Sequence, residues 1–141
     1  MPSVVSVARI SESAILLEDA VRAVTASDVG ALVTFSGIVR NHDGGRTVVL
    51  LEYEAHPSAA AVLESVAAEV AAGFDGLSIA IEHRTGVLEI GELALGCAVS
   101  SAHRADAFAA CARLIDEVKK RVPIWKRQHF SDGTVEWVGS L

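Results

Sequence analysis

A chain of 141 residues suits a single domain, 1–141, with its own core, and 51% apolar content excludes a disordered chain. No apolar run reaches the length of a membrane span, and the first residues, MPSVVSVARISES, lack a basic segment followed by a long apolar one, so no membrane partner, no signal peptide and a cytoplasmic location are expected. Net charge is −6, yet residues 119–128 carry +5 and leave −11 elsewhere, which disfavours nucleic acid and favours a local site for a small anion or the carboxylate end of a partner.

In chain order, residues 3–10 alternate loosely and predict a strand, and 17–26 a short helix. ALVTFSGIVR (31–40) is rich in β-branched residues and reads as a strand. NHDGGR (41–46) is a turn or a mobile loop, with Gly44 and Gly45 free to take positive φ. VVLLEYEA (48–55) is a strand, and Pro57 suits the first turn of a helix that runs to a stop near Gly73. Residues 77–86 form a strand, Gly86 and Gly91 bracket a short excursion, VLEIGE, and 93–102 return as a strand. Residues 104–121 form the best helix, with Phe108, Ala112, Ile115 and Val118 or Val122 on the expected core face. Pro123 ends it, and IWKRQHF (124–130) and TVEWVGS (134–140) flank Ser131-Asp132-Gly133 as a hairpin. The order predicts an α+β domain with a largely antiparallel sheet.

Three stretches can carry chemistry. "KKRVPIWKRQ" (119–128) holds every lysine of the chain, Lys119, Lys120 and Lys126. Its bland role is to offset a helix dipole and to guard a strand edge. Yet Pro123 turns the chain back, so Lys119 and Lys126 can converge on one pocket, where clustered cations lower one another's pKa. Alternation puts Ile124, Lys126 and Gln128 on one face, with Trp125, Arg127 and His129 on the other. In "SSAHRADAF" (100–108), Ser101 is the expected N-cap, and His103 and Arg104 fall in a first turn that favours an anion, unless they are a surface pair with solvated charge. In "FSGIVRNHDGGR", Arg40, Asn41 and His42 run into a loop that is either a lid or a simple hairpin. His83-Arg84 reads as a strand surface and His56-Pro57 as a helix entry. Cys97 and Cys111 fit no metal spacing and read as buried, reduced thiols.

"VTFSGIVRNH" (33–42), "HRTGVLEIGE…VSSAHR" (83–104) and "KKRVPIWKR" (119–127), in that order, resemble one family, the large catalytic subunit of molybdopterin synthase. The similarity runs from about Gly30 to Trp137. It implies an α/β hammerhead fold with an additional antiparallel β subdomain, and a homodimer within a heterotetramer. It also implies a small ubiquitin-like sulfur-carrier partner, whose thiocarboxylated Gly-Gly tail gives sulfur to cyclic pyranopterin monophosphate to build the dithiolene of molybdopterin. No cofactor and no metal are implied. By the resemblance, Lys119 lies next to the thiocarboxylate, Lys126 supports the substrate or the developing charge, Arg40, His103 and Arg104 line the anion pocket, and Phe35 forms a wall. The family's chains often continue past the last strand with basic residues that reach the neighbouring subunit, whereas no Arg or Lys follows Arg127 here. A competing reading is a non-catalytic binding module for the tail of a ubiquitin-like protein, which would keep Trp125 and apolar walls without needing Lys119 at the tail's end.

Overall fold

The structure is a computed structural model and describes residues 1–138. Its elements are β1 (Val4–Ser11), α1 (Leu17–Val24), β2 (Ala31–Ile38), β3 (His42–Asp43), β4 (Arg46–Ala55), α2 (Ala59–Ala72), β5 (Ser78–Arg84), β6 (Gly86–Glu89), β7 (Leu93–Ser101), α3 (Arg104–Arg121), β8 (Ile124–Phe130) and β9 (Val135–Val138). The α+β class expected from the sequence is what forms. The expected last strand, 134–140, extends beyond the described residues.

Four strands make the first sheet, in the order β1-β5-β7-β2. β1 pairs with β5 in parallel, and the other pairs are antiparallel. Helices α2 and α3 cover one face, burying Leu63, Val66, Val70, Leu114, Ile115 and Val118 against Ile79, Ile81, Cys97 and Val99. α1 covers the other, where Ala20 and Val24 meet Ala80 and Ala98. β5 and β7 are therefore buried on both faces along nearly their whole length; β7 is largely apolar, whereas β5 also buries Glu82 and His83.

The second sheet holds β3, β4, β8 and β9, with β6 on β4. It closes over a smaller core of Val39, Val48, Leu51, Leu88, Ala94 and Phe130. Segment 41–46 is a tight hairpin: Asp43 pairs with Arg46 across Gly44 and Gly45, at φ 57° and 77°. Two consecutive positive-φ residues fit a two-residue turn that matches strand twist, so the hairpin expectation holds over the lid. The short excursion after Gly86 is a true strand, β6.

The core face of α3 departs from expectation. Phe108 is 62% exposed and Ala112 is exposed. The buried stripe is Ala107, Ala110, Cys111, Leu114, Ile115 and Val118. That set keeps helical spacing more faithfully, and its small residues let the helix lie close to the sheet. Cys97 and Cys111 are buried free thiols, as expected. The Cys111 side chain and burial both push the Cys97 thiol up, keeping it protonated.

Candidate active site

A cavity of about 280 Å³ opens where the two cores meet. Phe35 and Leu95 come from the larger core, and Leu51 and Ala94 from the smaller. Arg40, Tyr53, His83, Lys119 and Lys126 supply its polar wall.

Each polar group is set by local structure. Val122 and Pro123 break α3, and β8 starts at Ile124, with the Val122 N–H still bonded to the Val118 carbonyl at 3.0 Å. Lys119 on the last helical turn and Lys126 on the strand thus face one volume, as the sequence predicted. β8 buries Ile124 and Gln128, and Lys126 shares that face. Burial lowers the Lys126 pKa; the Asp43 carboxylate opposes this, while Arg40 and Lys119 add to it. A lysine so placed gives up its proton more readily than one in water.

Phe35 reaches the cavity because Gly37 follows it. A Cβ at Gly37 would lie 3.3 Å from Leu95 Cβ and 3.4 Å from the Phe35 ring. The β2–β7 register shifts between Gly37 and Ile38, and the Val39 N–H then bonds the Glu92 carbonyl at 3.0 Å. That irregularity aims Arg40 at the rim. Its guanidinium lies 3.3 Å from Asp43. Asp43 also accepts a bond from the buried Gln128 amide at 2.9 Å. The Gln128 bond, with Lys126 and Arg40 nearby, holds the Asp43 carboxyl below its usual range.

The other cations of the basic stretch do different work. Arg121 pairs with Glu69 and Glu117, Lys120 sits 4.0 Å from Glu117, and Arg127 sits 4.0 Å from Glu52. Arg127, His129 and Trp125 occupy the opposite face of β8, where His129 lies 2.5 Å from Glu52 and Arg127 stacks over Trp137 at 5.7 Å. The alternation predicted for this strand is therefore correct.

His103 and Arg104 do not join the cavity of their own chain. They border a separate open depression with Gly30, Ala102 and Ala105, at the start of α3. Ala31 of β2 pairs with Ser101 there, whereas Ile38, at the other end of β2, is on the cavity. Eight extended residues separate the two places by roughly 23 Å. The expected N-cap also differs. Ser101 ends β7 and its Oγ accepts the His103 N–H at 3.4 Å, while His103 occupies the cap position without a side-chain cap bond.

Two polar wall residues were not foreseen. His83, expected on a strand surface, is 1% exposed. It sits on the central strand β5, whose neighbours β1 and β7 pair it with Ile10 and Leu95. Tyr53 packs edge-on against it with ring centroids 5.1 Å apart. His56 keeps its expected place at a helix entry, its Nδ1 accepting the Ser58 N–H at 3.0 Å. Among the described residues no three His, Cys, Asp or Glu side chains gather to hold a metal, and no helix is long and apolar enough to cross a membrane.

Fold and cavity define a class: an α+β chain that gathers two lysines and an arginine on one partly apolar cavity. The family model described as MoaE protein matches residues 10–121. The chain is 42% identical over 131 residues to the molybdopterin synthase catalytic subunit of Bacillus subtilis, covering 92% of this chain and 83% of that one. It is 37% identical over 132 residues to molybdopterin synthase catalytic subunit 1 of Mycobacterium tuberculosis, covering 93% and 89%. The crystal structure of molybdopterin synthase from Staphylococcus aureus superposes with a TM-score of 0.88 at 35% identity, covering 94% of this chain and 96% of that one. A complex of subunits 1 and 2 of the molybdopterin-converting factor of Helicobacter pylori shares the fold, with a TM-score of 0.72 at 20% identity over 93% and 88% of the two chains. The chain belongs to the MoaE family, that of the catalytic subunits of molybdopterin synthase.

Proposed function

We propose that this chain takes sulfur from the thiocarboxylated tail of a small ubiquitin-like partner and delivers it to cyclic pyranopterin monophosphate. The observation that carries the reading is the convergence of Lys119 and Lys126 on one partly apolar cavity. Both reactants are anionic, one a thiocarboxylate and one a phosphate ester. Cations fixed beside apolar walls hold such groups more strongly than the same cations in water. Lys119 carries the proton at the sulfur-bearing carbon, Lys126 and Arg40 balance the charge that develops, and Phe35 forms the wall. The sulfur arrives on the partner, so the buried Cys97 and Cys111 have no part in the transfer. Free thiols suit the reducing cytoplasm.

The chain works as a homodimer within a heterotetramer. The position of His103 and Arg104 supports this. They stand about a strand's length from Arg40, too far to share a small substrate within one chain. A second copy can bring its α3 start to the first copy's cavity and supply the missing cations, a role consistent with a two-fold assembly.

The test is direct. The chain is incubated with a thiocarboxylated ubiquitin-like partner and the cyclic pterin, and dithiolene product is measured. Product formation that needs all three components supports the reading. A chain that binds the partner's tail yet makes no product would instead be a binding module.

A further inference from the structure

One wall residue has no work in the sulfur transfer as described. His83 lines the cavity and is 1% exposed. Its Nδ1 lies 2.7 Å from the Arg84 carbonyl oxygen. A carbonyl only accepts, so Nδ1 carries the proton and Nε2 carries a lone pair. The neighbouring backbone is well anchored. The Arg84 guanidinium bonds Glu92 at 2.8 Å, and the Thr85 N–H bonds the Ser11 carbonyl at 2.8 Å. Tyr53 holds the ring from its side.

Nε2 has no protein partner among the described residues. Nor is it sealed: the unpartnered side-chain polar atoms closed off from solvent are Arg84 Nε and Arg127 Nε. The lone pair is therefore open to the cavity. The other groups that face this space are Arg40 beyond β2, Tyr53 from β4, Lys119 from α3 and Lys126 from β8. Three are cations and one is a hydroxyl. The carboxylates around the cavity are already engaged: Asp43 by Gln128 and Arg40, Glu82 by Arg9 and Glu92 by Arg84. The wall is rich in donors and offers one bare imidazole nitrogen as acceptor.

Sulfur transfer needs such an acceptor. A thiocarboxylate sulfur that bonds a carbon of a second molecule displaces an oxygen from that carbon, which leaves with the electron pair and takes up a proton, and the sulfur then bonds both carbons. To release the acyl group, the oxygen of a water molecule bonds to the acyl carbon. The old C–S bond breaks, its electron pair stays on sulfur, and a water proton must leave to a base. Lys119 and Lys126 are engaged at the sulfur-bearing carbon and with the charge that develops there, which leaves the uncharged imidazole as the free acceptor. We propose that His83 Nε2 orients this water and accepts its proton, an inference that rests on the sulfur-transfer reading above. Burial holds the ring unprotonated, with its pKa lowered to about 4, so the lone pair is present at neutral pH. The same burial makes it a weak base, so directing the water is the larger part of the role. Lys119 and Lys126 meanwhile offset the charge left on sulfur.

The experiment uses the reconstituted complex with the thiocarboxylated partner and the cyclic pterin, followed by intact-mass spectrometry at timed points. Wild type should return the partner as its carboxylate. His83→Gln and His83→Phe should slow turnover roughly 10²-fold and accumulate a covalent partner–pterin adduct. Thermal melts of both variants show whether they are folded. Wild-type turnover in either folded variant overturns the inference and leaves the sulfur-transfer reading standing. Slow turnover without adduct also overturns it, because His83 would then act before the acyl group is released. Failure of the wild type to make product overturns the reading and this inference together. A measurement without variants gives a separate check: nitrogen-15 spectra of wild type should show a protonated Nδ1 and a bare Nε2 at His83, and a protonated Nε2 overturns the proposal.

Discussion

At one end of β2 the chain builds a cavity, and at the other it leaves two basic side chains in the open. The cavity end gathers Arg40, Lys119 and Lys126 against Phe35, Leu51 and Leu95. The α3 end places His103 and Arg104 on an exposed helix start. Lys126 is half-buried there and keeps more of its field than a cation in water, while Arg40 and Lys119 line the cavity from its exposed rim. The first region can therefore do chemistry within one chain. The second carries an arginine where the helix dipole prefers an acid, an exposed position that the proposed dimer would cover. On the proposed function the two regions would form one anion site only across a dimer, and the experiments below separate that arrangement from two unrelated basic regions.

The largest effect should fall at the cavity end. Lys119→Ala should lower sulfur transfer roughly 10²–10⁴-fold, the range for loss of a proton-transfer group, while partner binding survives. Lys119→Arg should fail as well, since a guanidinium stays protonated. Single-turnover assays with a pull-down of the partner check both. A fully active arginine variant would reduce Lys119 to a fixed charge and make the two ends alike.

The cavity end also carries a pH liability. His83 is buried neutral, with its pKa lowered to about 4 by desolvation, opposed by its bond to the Arg84 carbonyl. The unfolded value is near 6.5. Above that value neither state holds the proton and the native fold keeps its full stability. As pH falls from 6.5 towards 4 the unfolded chain takes up a proton and the native chain resists, so stability is lost across that window. The full shift corresponds to about 3 kcal/mol. His83→Gln removes this pH dependence, so the gap between wild-type and variant stability should change by about that amount between pH 6.5 and 4. A constant gap across the window means His83 is charged or exposed in the native state.

Arg104→Ala should weaken pterin binding ten- to a hundredfold, the usual cost of about 1.5–3 kcal/mol for a lost charge-assisted contact. Partner affinity should hold, and the melting temperature should stay level or rise slightly as the clash with the helix dipole goes. Calorimetric titration and a thermal melt separate these outcomes. Mixing sharpens the comparison further. If the two ends meet across a dimer, co-refolded Lys119→Ala and Arg104→Ala chains should recover about a quarter of wild-type activity, because half the dimers are mixed and each holds one intact site. No recovery would place both residues in the site of a single chain, against the geometry, or leave Arg104 outside it.

Much of this was legible from residues alone, for a stated reason. The helix–proline–strand run at 119–128 fixes its own geometry locally, so the meeting of Lys119 and Lys126 and the two faces of β8 followed from periodicity. Long-range features did not. His83 reads as a surface residue because alternation cannot reveal that β5 is central and covered on both faces. The separation of Arg40 from Arg104 depends on which end of β2 each one borders. On α3 the bulk of Phe108 outweighed the spacing of Ala107, Ala110 and Cys111, though the smaller side chains hold the closer contact.

The smallest effects should come from the rest of the basic stretch. Lys120 and Arg121 sit beside Lys119 in sequence but point to the acidic side chains of Glu117 and Glu69. Such exposed pairs contribute about 0–1 kcal/mol, and neither residue lines the cavity. Lys120→Ala should leave turnover and stability unchanged within error. Arg121→Ala should cost at most about 1 kcal/mol of stability, visible as a small drop in melting temperature that high salt narrows. Turnover should stay within about twofold, well under the tenfold that 1.4 kcal/mol represents. A loss comparable to Lys119→Ala would mean that the whole cluster, rather than the one lysine aimed inward, supplies the field at the sulfur-bearing carbon. The distinction between cavity cations and surface cations would then fail at the residues where it is drawn most finely.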